Sequence, residues 1–275
     1  MFSELIITTY ENPRALALCL ESLRYQTRMC DGICIADDGS GAETAAVIAR
    51  YVAENPAVPL RHVWHEDRGF EKCAILNKAI ASSGAEFLVF LDGDVILHPR
   101  FIARHFELAR PGRFSSGGII RLDAKASAAV TAQDIASGRL FDRGWLRANR
   151  AIDRLGTWLK TMPFGPRVMG WFDRLTPVPK SLLGANWSAF RADILKVNGF
   201  DETIKYGGLD KEMGFRLMNA GIAGQHMRYT APLLHLDHPR GYRDPDRVRR
   251  QKAALHATRR SGQFWTENGL TRKGD

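Results

Sequence analysis

Two aspartates separated by one residue, Asp92 and Asp94, bracket Gly93 at the end of the apolar run Phe87-Leu88-Val89-Phe90-Leu91. Carboxylates at that spacing on the tip of a buried strand can hold a hard divalent cation, Mn2+ or Mg2+, with water in the remaining positions. Such an ion would bridge a diphosphate and neutralise the charge that builds up as a nucleoside diphosphate leaves. Two other apolar runs end in polar residues in the same way, Leu5-Ile6-Ile7 in Thr8-Thr9-Tyr10 and Ile33-Cys34-Ile35-Ala36 in Asp37-Asp38-Gly39-Ser40. Ligands of open α/β sheets gather beyond the carboxyl ends of the strands, so three such loops together argue for one site. Taken singly, each is equally a turn, because Asp-Gly is a common turn pair.

The elements that must position these residues follow from the spacing of apolar side chains. The first 123 residues alternate short apolar runs with amphipathic stretches, the pattern of βαβ units feeding a parallel sheet. Strands are predicted at Leu5-Ile6-Ile7, Ile33–Ala36, Leu60–Trp64 and Phe87–Leu91, the last a continuous buried-strand signal. Between them, helices are predicted after Asn12-Pro13 through Leu16, Leu20 and Leu23, and from about Glu71 to Ala81. Another is predicted after Ser40, with Glu43 three residues on as a capping box. Residues 124 to 180 leave this rhythm and read as an insertion.

Composition narrows the class. With 45% apolar and 25% charged residues over 275 positions, the chain can bury a core as one globular domain. No apolar run reaches the length of a membrane span, and the N-terminus does not read as a signal peptide, so the catalytic body is expected in the cytoplasm. Cys19, Cys30, Cys34 and Cys73 have neither zinc-site spacing nor disulfide density and read as thiols in a reducing compartment. The net charge of +9 is concentrated. Residues 139 to 180 and residues 239 to 275 each carry +6, leaving the rest of the chain at −3. Such a balance suits nucleic acid, a membrane surface or an anionic substrate.

The C-terminal half adds Gly184-Ala185-Asn186-Trp187-Ser188-Ala189-Phe190-Arg191, then Gly199-Phe200-Asp201-Glu202, then Gly207-Gly208-Leu209-Asp210-Lys211-Glu212 opening a helix with Arg216-Leu217. With the Asp-Gly-Asp upstream, and with Arg68-Gly69-Phe70 continuing to Asn77-Lys78-Ala79, this ordered set resembles glycosyltransferase family 2. The branch it is most similar to has a C-terminal half like galactosyl- and N-acetylgalactosaminyltransferases and chondroitin-type polymerases. The likeness covers roughly residues 3 to 123 and 181 to 240. It implies an α/β GT-A fold, a single Rossmann-like domain with a mostly parallel central sheet flanked by helices. The implied reaction is inverting transfer of a sugar from a nucleotide-sugar, UDP favoured, to a glycan or lipid-linked acceptor in cell-surface polysaccharide or lipopolysaccharide synthesis.

By the same resemblance Thr8, Tyr10, Asp37, Asp38, Arg68, Gly69, Asn77, Asp92 and Gly93 would contact the donor, a carboxylate of Asp37 or Asp38 accepting from the base. Asp92 and Asp94 would hold the metal, with His235 or His238 as a further ligand, since imidazole suits Mn2+ at a mixed N,O site. Asp210 falls at the family's catalytic base, where a carboxylate takes the acceptor hydroxyl's proton. Asn186, Trp187 and Glu212 would face the acceptor, Glu212 being equally a first-turn acid favoured by the helix dipole. Many relatives have Glu where Leu209 stands, which puts the acceptor in question more than the reaction.

The insertion carries its own signal. Trp145, Ala148, Ile152, Leu155 and Leu159 recur at helical steps between Asp142 and Lys160, with Arg143, Arg147, Arg150 and Arg154 on another face. That predicts one amphipathic helix. Two readings of it stand side by side: a peripheral seat on an anionic membrane at the inner face of the plasma membrane, helped by Trp158, Trp171 and Phe172, or packing of the apolar stripe onto the core. The basic tail around Arg247, Arg249, Arg250, Lys252, Arg259 and Arg260 lacks the Gln-x-x-Arg-Trp order of processive synthases, so one or a few sugars per acceptor are expected. The domain reading is therefore a nucleotide-sugar half at 1–123, an insertion at 124–180, an acceptor half at 181–240 and a tail at 241–275. A sugar nucleotidyltransferase would need a Gly-rich, basic loop after its first strand, where Thr8-Thr9-Tyr10-Glu11-Asn12-Pro13 stands instead. A nucleic-acid-binding protein would account for the charge, but no recognisable module appears and no nucleic-acid partner is expected.

Overall fold

The strand that ends in Asp92 is buried along almost its whole length, and its neighbours follow from that. In the computed structural model, which describes residues 1–162, 164–176, 181–238 and 255–271, β1 (Ser3–Thr9) lies between β2 (Gly32–Asp37) and β4 (Phe87–Asp92), parallel to both. β3 (Leu60–Trp64) extends the sheet beyond β2. Past β4 come β8 (Trp187–Phe190), β6 (Arg113–Gly117) and β9 (Ala223–Met227), in the order β3-β2-β1-β4-β8-β6-β9. β8 pairs antiparallel with β4 and β6, and β6 and β9 are parallel. The result is a single α/β domain on a mostly parallel sheet, as the sequence predicts. Strand side chains alternate between faces. Leu5, Ile7, Ile33, Ile35, Val89 and Leu91 pack with Leu16, Cys19, Leu20 and Leu23 of α1 (Pro13–Leu23). Ile6, Cys34, Ala36, Leu88 and Phe90 pack with Ile75, Leu76, Ala79 and Ile80 of α3 (Lys72–Ala81). Each large side chain removed from water in this way contributes roughly 1.5–3 kcal/mol. The four cysteines are free and buried among these residues.

A smaller sheet, β5 (Val95–Ile96), β10 (Leu233–His235) and β7 (Ile119–Arg121), sits beside the first, with β10 in the middle. Among the described residues no helix is long and apolar enough to cross a membrane.

Two predicted local features are corrected. α2 (Ala42–Glu54) starts after Gly41 with no side-chain cap from Ser40. Ser40 Oγ instead accepts from the Glu11 N–H at 2.9 Å, while Glu11 Oε1 accepts from the Gly41 N–H at 2.8 Å. The loop after β1 thus supplies a reciprocal cap across 30 residues, and its claim on Ser40 displaces the local one. The second correction concerns the insertion, where the single helix over 142–160 is two short ones, α7 (Arg143–Ala148) and α8 (Leu155–Lys160). Arg150 takes φ 54°, and the Ala151 N–H returns to Leu146 O at 2.8 Å, a left-handed helix stop. Leu146 and Ala151 are buried, and Trp145 and Ile152 pack beside them, in a cluster with α5 (Ala124–Ala129), α6 (Ala132–Ala136), β10 and α1. The N-terminal part of the stripe therefore packs onto the body of the protein. α9 (Pro166–Leu175) follows.

After β8 come α10 (Arg191–Lys196) and α11 (Leu209–Asn219). Residues 264–271 run back across the turn between them. Asn198 donates to Thr266 O and Thr271 O, both at 2.8 Å, and accepts from the Thr271 N–H at 2.9 Å. The Glu202 N–H donates to Asn268 O, and Leu270 packs where a Cβ on Gly199 would stand. Of the tail's basic residues, Arg247, Arg249, Arg250 and Lys252 lie outside the described residues.

Candidate active site

The carboxyl ends of β1 and β4 meet in register, with Thr8 opposite Asp92. Just beyond, the Gly93 N–H donates to Thr8 O at 2.7 Å, and a Cβ on Gly93 would lie 3.1 Å from that oxygen. The absence of a side chain lets the chain turn this close to β1. β5 then pairs with β10 so that Val95 stands opposite His235, and the Leu236 N–H donates to Asp94 O at 2.9 Å. That register delivers His235 to Asp94. Asp94 Oδ2 lies 3.1 Å from His238 Nε2 and 3.7 Å from His235 Nε2.

The remaining valences of this group point to a ligand. The Nδ1 of His235 is 2.8 Å from Leu236 O. A carbonyl only accepts, so Nδ1 carries a proton, and Nε2 is the ring atom turned toward Asp94. Asp94 Oδ1 is buried and has no hydrogen-bond partner among the described residues. Burial alone would raise the Asp94 carboxyl. The hydrogen bond from His238 and the neighbouring His235, His238 and Lys72 outweigh it and hold the group below its ordinary value. Ligand atoms of Asp94, His235 and His238 all lie within 4.8 Å of one another, so the donor set of two imidazoles and a carboxylate fits a divalent ion.

Asp92 is engaged differently. Lys72, the first residue of α3, donates from Nζ to Asp92 Oδ1 at 2.5 Å. Burial works against this ammonium, but Asp92, Asp210 and Asp94 around it overcome that and raise its pKa.

Asp210 is the second residue of α11, reached through Gly207 and Gly208 at φ 101° and 124°, left-handed values that favour glycine. Its carboxylate rests against Gly184, where a Cβ would come within 2.5 Å of Cγ. Oδ1 of Asp210 is buried without a partner among the described residues. Burial pushes this carboxyl up to about 6; Asp92 adds to the rise, while Lys72 and the Gly184 N–H oppose it.

These groups line one cavity of about 520 Å³ together with Thr8, Tyr10, Asp38, Gly69 and Gly93, a volume in the usual range of a small-molecule site. Tyr10 donates from its hydroxyl to Asp67 Oδ2 at 3.2 Å. Asp38 contacts His65 Nε2 at 2.8 Å and accepts from the Glu71 N–H at 3.1 Å. Six expected site residues do not line the cavity. Asp37 is fully buried behind Asp38, bound to His62 Nε2 and the Ser40 N–H, both at 2.9 Å. Arg68 is exposed beside Glu66. Asn77 donates to Phe200 O at 2.8 Å and to Glu202 Oε1, and accepts from the Phe200 N–H, tying α3 to the turn before α11. Asn186 is buried against His105 Nε2 and Gly118 O. Trp187 stacks on Phe90 in the core with ring centroids 4.0 Å apart. Glu212 is buried in an ion pair with Arg216 at 2.7 Å. Conversely, Lys72, Arg121 and Tyr206 line the cavity unforeseen. Lys72 lies between the two segments read as one motif, Arg68-Gly69-Phe70 and Asn77-Lys78-Ala79, and nothing local in the sequence marks it for the cavity.

The sequence model described as Glycosyl transferase family 2 matches residues 4–173, more than half of the chain. The chain belongs to glycosyl transferase family 2. Hyaluronan synthase of Pasteurella multocida is 29% identical to it over 230 residues, 79% of this chain and 23% of that protein. Chondroitin synthase of Escherichia coli is 25% identical over 105 residues, 38% of this chain and 15% of that protein. The chain spans 15 to 27% of the length of the curated relatives it matches. A mannosyltransferase from Pyrobaculum calidifontis, solved in complex with GDP-Man and Mn2+, shares the fold with a TM-score of 0.58 at 16% identity, covering 95% of this chain and 73% of that one. The family 2 match takes in Asp92 and Asp94 but stops before Asp210, His235 and His238, which the second half of the fold brings to the same cavity.

Proposed function

We propose that this family 2 chain is a metal-dependent glycosyltransferase that moves a sugar from a nucleotide-sugar, a UDP-sugar, to a hydroxyl of a glycan or glycolipid, inverting the anomeric centre. The observation that carries the reading is one cavity holding both Asp210, a carboxylate whose buried Oδ1 has no partner among the described residues, and the Asp94-His235-His238 group. Thr8, Tyr10, Asp38 and Gly69 form the wall assigned to the nucleotide. Lys72 balances Asp92 and stands where a diphosphate would need a cation. Asp94, His235 and His238 would hold Mn2+ or Mg2+, which supplies positive charge against the diphosphate of the donor. Asp210 Oδ1 takes the proton of the acceptor hydroxyl as that oxygen bonds to the anomeric carbon. The bond from that carbon to the diphosphate breaks on the opposite face, which inverts the centre. A pKa of about 6 leaves Asp210 ionised, and so able to accept, at neutral pH. The named relatives, a hyaluronan and a chondroitin synthase, support a place in cell-surface polysaccharide synthesis. The reading includes a peripheral location at the inner face of the plasma membrane.

A panel of nucleotide-sugars, scored for Mn2+-dependent hydrolysis and for thermal stabilisation of the protein, tests the reading. At least one donor should respond, and Asp94→Ala should remove the Mn2+-dependent part of the response, a loss of about 10- to 100-fold or more in metal affinity. If no nucleotide-sugar stabilises or is turned over by the wild-type chain, the proposal fails.

A further inference from the structure

α9 leaves exposed an apolar face where a surface helix ordinarily turns such a face inward. Its inward face is fixed: Met169 is buried, and Asp173 accepts from the Tyr229 N–H at 2.8 Å and from the Thr230 hydroxyl at 2.7 Å. The opposite sector carries Val168, Trp171 and Leu175 at steps of three and four residues, with Trp171 62% and Leu175 71% exposed. Phe164, stacked on Phe172 just before the helix, and Leu155 on α8 are exposed as well. Basic residues accompany this face. Arg167 and Arg174 flank it on α9 itself, and Arg147, Arg150 and Arg154 upstream in the chain are exposed as well. The stretch 139–180 carries nine basic residues against three acidic ones, so a partner must offer an apolar interior beneath a negatively charged surface.

We propose that the outer face of α9, with Phe164 and Leu155, docks onto the surface of an anionic lipid bilayer. Trp171 sits at headgroup depth, Val168 and Leu175 reach the acyl boundary, and the accompanying arginines meet lipid phosphates. This deepens the peripheral location proposed above and moves it to a new face. Of the stripe that suggested membrane contact in the sequence, Trp145 and Ile152 pack onto the core beside Leu146 and Ala151. A soluble anionic acceptor would account for the arginines but leaves the outward Val168, Trp171 and Leu175 in water. Docking of this kind would hold the cavity near a lipid-linked acceptor, since Lys160 at the end of α8 donates to the backbone oxygen of Ile119, a cavity residue.

The test is flotation of the 275-residue chain with vesicles of phosphatidylcholine alone and of phosphatidylcholine with about a third phosphatidylglycerol. The wild-type chain should float with the anionic vesicles and not with the neutral ones. The double variant Trp171→Ser, Leu175→Ser should lose about tenfold or more of that binding, with unchanged thermal melting and unchanged Mn2+-dependent donor hydrolysis. Equal flotation of variant and wild type, or no flotation of the wild type, overturns the proposal. A wild-type dimer in sedimentation velocity that the variant abolishes overturns it too, because the face would then belong to a second copy. Donor hydrolysis is read in the same preparations without lipid, so failure of the proposed reaction is separable from failure to dock.

Discussion

At the scale of single residues, Asp210 has its charge set by its surroundings more than by its type. Its pKa in the fold, about 6, exceeds the ordinary value of about 4. The native state therefore binds a proton more readily than the unfolded chain between those values. This group favours the fold below about pH 4, and that contribution is lost as pH rises through about 6. Asp210→Asn should accordingly melt higher than wild type at pH 7, by on the order of 2–3 kcal/mol, and the two should converge below about pH 4. Transfer should fall by about 100-fold or more in the same variant while donor binding stays nearly intact. In the wild type, turnover should decline as pH drops through about 6; a flat acid limb, or normal turnover in the variant, would remove Asp210 from the base role. The carboxylates were legible in the sequence because strand ends and a helix start mark them. Lys72 was not, since a lysine opening a helix is ordinarily solvated, and only the folded position of the Asp-Gly-Asp loop gives it a partner.

At the scale of elements, the strands and the helices α1 and α3 could be read because period-two and period-3.6 patterns report burial directly. Side chains that join elements were harder. Asn77, Asn186 and Glu212 stand in the motifs that resemble the family, yet in the fold they satisfy buried backbone and charged groups, bonds that local spacing does not encode. Asn77→Ala strands the Phe200 N–H and should lower stability by about 1–3 kcal/mol in denaturant melts. Donor affinity of the folded fraction should be unchanged; a selective loss of donor affinity without loss of stability would return Asn77 to the binding site. The single helix expected over 142–160 fails for a related reason. Periodicity continues through Arg150, while the chain stops its helix there with one left-handed residue, which leaves no trace in an apolar pattern.

At the scale of the whole molecule, the loop that presents Asp210 is braced by distant parts of the chain. Leu255 packs where a Cβ on Gly208 would stand, Asn219 donates to Thr258 O and Gln263 O, and residues 264–271 are bound to the turn at Asn198. Ending the chain at residue 263 should lower the melting temperature, with a loss of about 3 kcal/mol or more from the stranded polar groups of Asn198 and Glu202; an unchanged melt would show that the brace is dispensable. The protein as a whole carries +9, but its cavity has the opposite sign. Asp38, Asp92, Asp94 and Asp210 line it against Lys72 and Arg121, which leaves it two positive charges short of neutrality. One divalent cation makes up that deficit. Under the proposed reaction, a bare diphosphate entering alone would meet repulsion from the wall, whereas its cation complex would not, which would match the cavity to the salt of the donor more than to the free anion.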